Sequence, residues 1–439
     1  MKKTHSVSAL VLAVALIATM SVGCGNKAPA ATSSEASKSE PSKSEAPSAS
    51  TAPTKDDLIQ AEGNKVSFLY AGYDGTDPNS HFTTAIAAFE AATGKKVEVI
   101  QTGEQAWNDK VAANIASGSP IDVVSAFANY IPMYQNGLCA PLDDYVDFTK
   151  STFDMDATKA LGTYGGKIRY AVTGTSPYVM FYNNDILTAN GLEADAPRKA
   201  MAEGKWTWDA WKKMAKTCHN PEGTGIDGFQ NMYGEAFLAT NNVSAVTLGA
   251  DNKYALNISN PRFRETLELI QDINYTNRIV GCGWIDGQNA FINGKAAFHG
   301  TYCYDEATFA KAKKEGTLKF DFGVVEFPYG PTNPDKVNLV HFGGEFISTG
   351  SKAPYSAGRL IEFISQAIVD KAAKKEYEPL PYSEAMYQSM RAHPMVVGLT
   401  DSFLSGGFGA FYLMNDIEKG GEINAKLAEF EPLYQGMID

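Results

Sequence analysis

The chain has 439 residues, 44% of them hydrophobic, with 50 Asp and Glu against 38 Lys and Arg. The formal net charge of −12 argues against nucleic acid as a partner, because phosphate binding needs clustered cations. A chain of this length exceeds one comfortable core and points to two lobes.

Lys2 and Lys3 precede the apolar run ALVLAVALIA (residues 9–18), which suits a secretory signal and is too short to span a bilayer. Small residues, Ser21 and Gly23, lead to Cys24. A thiol in this setting resembles the lipobox of bacterial lipoproteins, although Ser21 stands where that motif usually has Leu. The resemblance implies a signal peptide over residues 1–23 and lipidation of Cys24; ordinary secretion with cleavage nearby is the alternative. Residues 24–64 are mostly Ser, Ala, Pro, Lys and Glu. Such a segment buries too little to offset its ordering entropy, so a disordered tether is expected. No later stretch reaches ~18 uninterrupted apolar residues.

The fold is expected to begin at KVSFLY (65–70), a strand ending in a Gly-flanked loop. Phe82, Ala85, Ile86 and Phe89 then fall at helical spacing, with Ser80 as N-cap and Gly94 as stop. KKVEVI is the next strand, AWNDKVAANIASG the next helix and IDVVSAF a buried strand. Strand, helix, strand, helix, strand with short turns implies a parallel sheet with right-handed crossovers. Further on, YVMFYNNDIL reads as a strand entering a helix. TWDAWKKMAKTC is a helix capped by Thr207, with Trp208 and Trp211 on its inner side, and PRFRETLELIQDINYTNRI is a long helix. QNAFINGKAAFHG gives a short helix, a turn at Asn293-Gly294 and a strand; KFDFGVVEFP is another strand. SAGRLIEFISQAIVD is a helix with Leu360, Ile361, Ile364 and Ile368 on one face.

Signatures of common chemistries are missing: no H-E-x-x-H zinc site, no P-loop, no G-x-S-x-G elbow and no CxxC pair. GTGIDG (223–228) matches G-x-G-x-x-G but follows no strand, so it reads as coincidence. No cofactor and no metal is expected; DGTDPN (74–79) has calcium-like spacing without the closing Glu. Cys139, Cys218, Cys282 and Cys303 read mainly as buried thiols.

Seven segments in order resemble the extracellular solute-binding lipoproteins of ABC importers, specifically the carbohydrate group, family 1. They include AIAAFEAATGKKVEVI, VAANIASGSPIDVV, NGLCAPLDDYV, WTWDAWKKMAK, AFINGKAAFHGTYCY and GGEFISTGSKAPYSAGRLIEFI. The chain departs from that pattern at Ala171-Val172, where the family usually has Pro, and at Tyr302 or Tyr304, where it usually has Trp. The resemblance implies an α/β fold of two lobes, periplasmic-binding-protein-like of type II, with the ligand cleft between them. Crossings are expected near residues 172–175, 342–345 and 392–396. The first lobe is then 65–172 plus 346–391, and the second 173–344 plus 396–439. The implied protein is a monomer anchored by lipid outside the cytoplasm. It captures a sugar or oligosaccharide by lobe closure, without chemistry, and delivers it to an ABC permease in the membrane. A non-sugar solute (metal, polyamine or peptide) and a surface-anchored glycan hydrolase are the alternatives.

A sugar presents apolar C–H faces and many hydroxyls, so its cleft needs aromatic rings beside polar groups. Loops after strands offer that mixture: Tyr73 and Asp74; Gln105 with Trp107; Asn129 and Tyr130; Ser176 and Tyr178; Trp284 and Asp286; Tyr302 with His299 and Tyr304; and Gly344 with Glu345. Trp107 also fits core packing, Trp206, Trp208 and Trp211 read as structural, and His299 as a buried histidine with satisfied nitrogens.

Overall fold

The computed structural model describes residues 53–70, 73, 75–78, 80–102, 107–126, 133, 136–150, 152–230, 234–248, 253–281, 284–331, 333, 336–374, 377–392, 394–395 and 410–438. Its centre is a nine-stranded sheet. Strands β1 (Lys65–Tyr70), β2 (Lys96–Ile100) and β3 (Val123–Ala126) are parallel, with β1 in the middle, as the alternating pattern of strands and helices requires. Strands β4 (Ala171–Asn183), β5 (Asp227–Gln230), β6 (Ala296–Tyr302), β7 (Phe322–Glu326), β8 (Asn338–Ile347) and β9 (Pro394–Met395) complete it in the order β2-β1-β3-β8-β4-β6-β5, with β7 on β4 and β9 on β8.

Local signals place the helices. Ser80 caps His81–Thr93 by accepting from the Phe82 N–H, and Gly94 ends it in the left-handed region at φ 73°. Thr207 caps Trp208–Cys218, whose inner side buries Trp208, Trp211 and Ala215. The first-lobe core joins Val66, Phe68, Phe82, Phe89 and Val123 to Leu360, Ile361 and Ile364 of the helix Pro354–Ala373. The GTGIDG segment lies on a turn leading into β5, in the reverse order to a nucleotide-binding strand–loop–helix. Cys139, Cys218 and Cys303 are buried free thiols.

Strands β4 and β8 carry the chain between the lobes. Residues 171–177 of β4 pair antiparallel with residues 340–345 of β8. The far part of β4 pairs with β6 and β7, and the far part of β8 pairs with β3. The two segments expected from the sequence to cross are therefore partners in one ladder: Phe342 faces Thr175, Gly343 faces Gly174 and Glu345 faces Ala171.

Two boundaries differ from the sequence expectation. The ordered domain starts before Lys65. Lys55–Ala61 is a helix closed by a Thr54–Asp57 capping box, and it buries Ile59. Glu62, just beyond it, accepts from the backbone N–H groups of Tyr355 and Ser356, each at 2.8 Å, and so caps the helix Pro354–Ala373. Lys55 adds an ion pair to buried Glu362, which Lys150 and Arg359 also approach. Burial opposes the charge of Glu362, but Lys150, the Asp147 N–H and Lys55 hold its carboxyl below the usual range. The second difference concerns Ser383–Ala392, expected in the first lobe. It packs instead in the second, where Met386, Tyr387 and Met390 join Val179, Phe181 and Phe309. Its approach is fixed by buried Glu306, which accepts from the Leu380 N–H at 2.6 Å, the Ser383 hydroxyl at 3.0 Å and the Tyr387 hydroxyl at 2.8 Å.

Because Glu62 satisfies N–H groups that open a 20-residue helix, Glu62→Ala is expected to lower unfolding stability by about 1–2 kcal/mol. Urea unfolding measures this, and an unchanged midpoint would show that the helix start is held by other groups.

Candidate functional site

The β4–β8 ladder has a local irregularity at its centre. The register shifts between Gly343 and Gly344. A Cβ on Gly344 would stand 2.1 Å from the Ala171 carbonyl oxygen, so only glycine lets the strands approach there. Gly174 and Gly343 face each other, and a Cβ on either would meet nothing within 4 Å. Ser176, half-buried, pairs in register with His341, also half-buried.

A stack of rings grows from this ladder. His341 stacks on Tyr302 with centroids 5.3 Å apart and planes 29° apart, and Tyr302 stacks on Tyr304 at 5.4 Å and 25°. Tyr178 on β4, in register with Tyr302 on β6, meets that ring edge-on at 5.2 Å. Offset and edge-to-face pairs of this kind add stability beyond their buried area. Tyr178 is fully buried and its hydroxyl donates to the Gly300 carbonyl at 3.0 Å. Tyr302 is 6% exposed, whereas Tyr304 is 54% exposed. The outer member of the stack therefore presents a ring to solvent on a base of buried rings. Its phenol pKa is raised by surrounding protein, then by Asp305, Cys303 and Tyr70.

Other residues singled out from the sequence fall as follows. Tyr73 is buried against Phe68 and Phe82, and its hydroxyl donates to Thr83, whose own proton goes to the Asp77 carbonyl. Trp107 packs in the core beside Phe346. Trp284 begins the helix Trp284–Ile292, and Asp286 on the same helix is exposed. His299 is buried and stacked on Phe291, and burial takes its pKa down to about 3, so it is neutral. Asp74, Gln105, Asn129, Tyr130, Cys24 and the Trp284 side chain lie outside the described residues. Sequence reasoning did not single out His341. A stacked pair from distant segments leaves no trace in local spacing. Among the described residues no three His, Cys, Asp or Glu side chains come together to hold a metal ion, and no helix is long and apolar enough to cross a membrane.

Glu345 sits beneath the crossing at 1% exposure. One carboxyl oxygen accepts from the Ser125 hydroxyl at 2.9 Å; the other has no hydrogen-bond partner among the described residues. Burial raises its pKa to about 7, against the lowering pull of Ser125 and Thr173.

The molecule's architecture is that of a two-lobed solute-binding protein. Residues 84–390 match the sequence model of the family described as bacterial extracellular solute-binding protein. The chain belongs to that family, whose members work outside the cytoplasm. A curated relative, the sn-glycerol-3-phosphate-binding periplasmic protein UgpB of Agrobacterium fabrum, is 24% identical over 359 residues, covering 71% of this chain and 77% of the relative. Solved structures share the fold. An ABC substrate-binding protein of Listeria monocytogenes, in complex with cycloalternan, superposes with a TM-score of 0.66 at 16% identity, covering 85% of this chain and 98% of that one. A solute-binding protein of Thermotoga lettingae bound with α-D-tagatose gives 0.67 at 14% identity, covering 86% and 100%. UgpB of Mycobacterium tuberculosis with glycerophosphocholine gives 0.65 at 17% identity, covering 86% and 99%.

The raised pKa of Glu345 makes a prediction about stability. The folded state holds this proton more tightly than the unfolded state, whose pKa is near 4.5. The group's contribution is therefore intact below about 4.5 and falls as pH rises to about 7, then stays level. Glu345→Gln should gain on the wild type by on the order of 2–3 kcal/mol between pH 4.5 and 8. Urea unfolding across that range reads the effect; parallel profiles for the two proteins would rule it out.

Proposed function

We propose that the protein captures a sugar or oligosaccharide between its lobes and presents it to an ABC permease, without altering the solute's bonds. The observation that carries this reading is the exposed ring of Tyr304 stacked on buried Tyr302, which buried Tyr178 and half-buried His341 support, beside the crossing strands. A sugar's C–H face lies well on such a ring, while Ser176 and the backbone beside Gly343 offer polar groups close by. The solved relatives with cycloalternan and α-D-tagatose support a sugar as solute.

In this reading the ladder of β4 and β8 is the hinge. Solute bound to both lobes favours the closed arrangement by its differential affinity for it. Tyr302 supports the contact from behind, and Tyr304 makes it. Asp74, Gln105, Asn129, Tyr130, Trp284, Asp286, Gly344 and Glu345 remain candidates for the rest of the site. The protein works as a monomer. Cys24, at the end of the apolar run, carries a lipid that holds the domain at the outer face of the membrane, and the Ser- and Pro-rich segment after it serves as the tether.

A ligand that binds only the folded state raises stability by RT ln(1 + [L]/Kd). A melting screen of mono- and oligosaccharides should therefore show at least one that raises Tm. Tyr304→Ala should weaken that sugar by roughly tenfold or more while leaving the ligand-free Tm near the wild-type value, since the ring is largely exposed. A flat response across the sugars with a rise for a metal or peptide, or product released from a glycan, would overturn the proposal.

A further inference from the structure

Glu345 is a buried acid at the crossing between the lobes. Strand pairing sets Tyr70 of β1, Ser125 of β3, Glu345 of β8 and Ala171 of β4 in one row across the sheet. The row lies next to the register shift between Gly343 and Gly344. Ser125 donates its hydroxyl to one Glu345 oxygen at 2.9 Å, and Oε2 has no hydrogen-bond partner among the described residues. A neutral carboxyl is tolerated in such a setting far better than a carboxylate, whose second oxygen would need a donor.

Neighbouring elements do not neutralise that charge. Near this row the strands carry Tyr70 and Tyr170, and the Tyr170 hydroxyl is donated to the Ala126 carbonyl at 2.5 Å. On β8 itself His341 stacks on Tyr302. The helix Met155–Gly162 adds Asp156 and Lys159, both exposed. The helix Pro354–Ala373 adds Arg359, Glu362, Asp370 and Lys371; Arg359 pairs with Glu362 at 2.8 Å, and Gln366 donates to Asp370. None of these is among the groups that act on Glu345: burial raises its pKa to about 7, and Ser125 and Thr173 oppose the rise.

The ladder has room to change at this point. Gly174 and Gly343 pair with open space around them, and glycine accepts a wide range of backbone angles. An ionised Glu345 favours an arrangement that admits water to Oε2, and a neutral one favours the ladder as it stands. Solute held between the lobes displaces water from the crossing, which adds to the cost of the charge.

We propose that Glu345 is a positioning residue for lobe closure: the crossing closes on solute with this carboxyl protonated, so solute binding takes up a proton and weakens as pH rises. The proposal rests on the reading of the two lobes as closing on a sugar. Affinity is then highest below the pKa of the solute-free protein, falls as pH rises from there to the higher pKa of the complex, and levels off beyond it.

The test is calorimetric titration of the full chain with glucose, galactose, maltose, maltotriose and trehalose, at about pH 5.5, 7 and 8.5, in buffers of low and high ionisation enthalpy. For a sugar that binds, the expected result is a Kd at least roughly threefold tighter at the lowest pH than at the highest, with a buffer-dependent heat that reports proton uptake near neutral pH. Glu345→Gln, checked for folding by circular dichroism, should bind with a pH-independent Kd and no proton uptake. Ser125→Ala removes the donor that favours the carboxylate, so it should move the midpoint of the wild-type profile to higher pH. A flat wild-type profile without uptake would overturn the proton linkage and leave sugar capture standing. So would tighter binding at high pH, which would mean that solute donates to an ionised Glu345. An unchanged profile in folded Glu345→Gln would overturn the assignment to Glu345; if that variant does not fold, an unmoved midpoint in Ser125→Ala does the same. No binding of any of these sugars at any pH would overturn the sugar reading and this proposal together.

Discussion

The antiparallel ladder between residues 171–177 and 340–345 is the constraint on which the rest of the molecule is arranged. Each strand is built into a different lobe at its far end: β4 through β6 and β7, and β8 through β3. The ladder therefore has to hold two cores in register while remaining the narrowest part of the sheet. Its sequence reflects both demands. Gly344 is pressed against the Ala171 carbonyl, where no side chain fits, while Gly174 and Gly343 leave an open space one residue pair away. Glu345 is buried just beside this point with one oxygen unpaired. Burial there disfavours the ionised form and raises its pKa to about 7.

Much of the fold was legible because its signals are local. N-caps at Ser80 and Thr207, the left-handed Gly94 and the alternation of strands with helices each report a backbone requirement within a few residues. The misplaced pieces depend on distant partners. Lys55–Ala61 is seven residues long, too short to be stable alone, and follows a run rich in Ser and Pro; its stability comes from Ile59, and from Lys55 and Glu62 reaching the helix 354–373 some 300 residues away. Ser383–Ala392 has an amphipathic pattern that fits either lobe; buried Glu306 decides between them.

The site was legible in kind and less so in detail. Tyr302 and Tyr304 sit two apart, so a strand reading gives them the same face and the same role. The strand ends at Tyr302, and the chain turns into a helix, which leaves one ring buried and the other exposed. Tyr73 and Tyr178 illustrate the opposite lesson: both are loop- or strand-end aromatics of the kind a cleft needs, and both have their hydroxyls bonded inside a lobe.

The proposed function comes down to one physical claim: two lobes joined across the β4–β8 ladder close on a solute that rests on the Tyr304 ring. Small-angle X-ray scattering of the protein, with and without the sugar that most raises its Tm, tests that claim most directly. The account predicts a smaller radius of gyration with sugar and a profile that shifts in a saturable way with its concentration. Superimposable profiles at saturating sugar would contradict it.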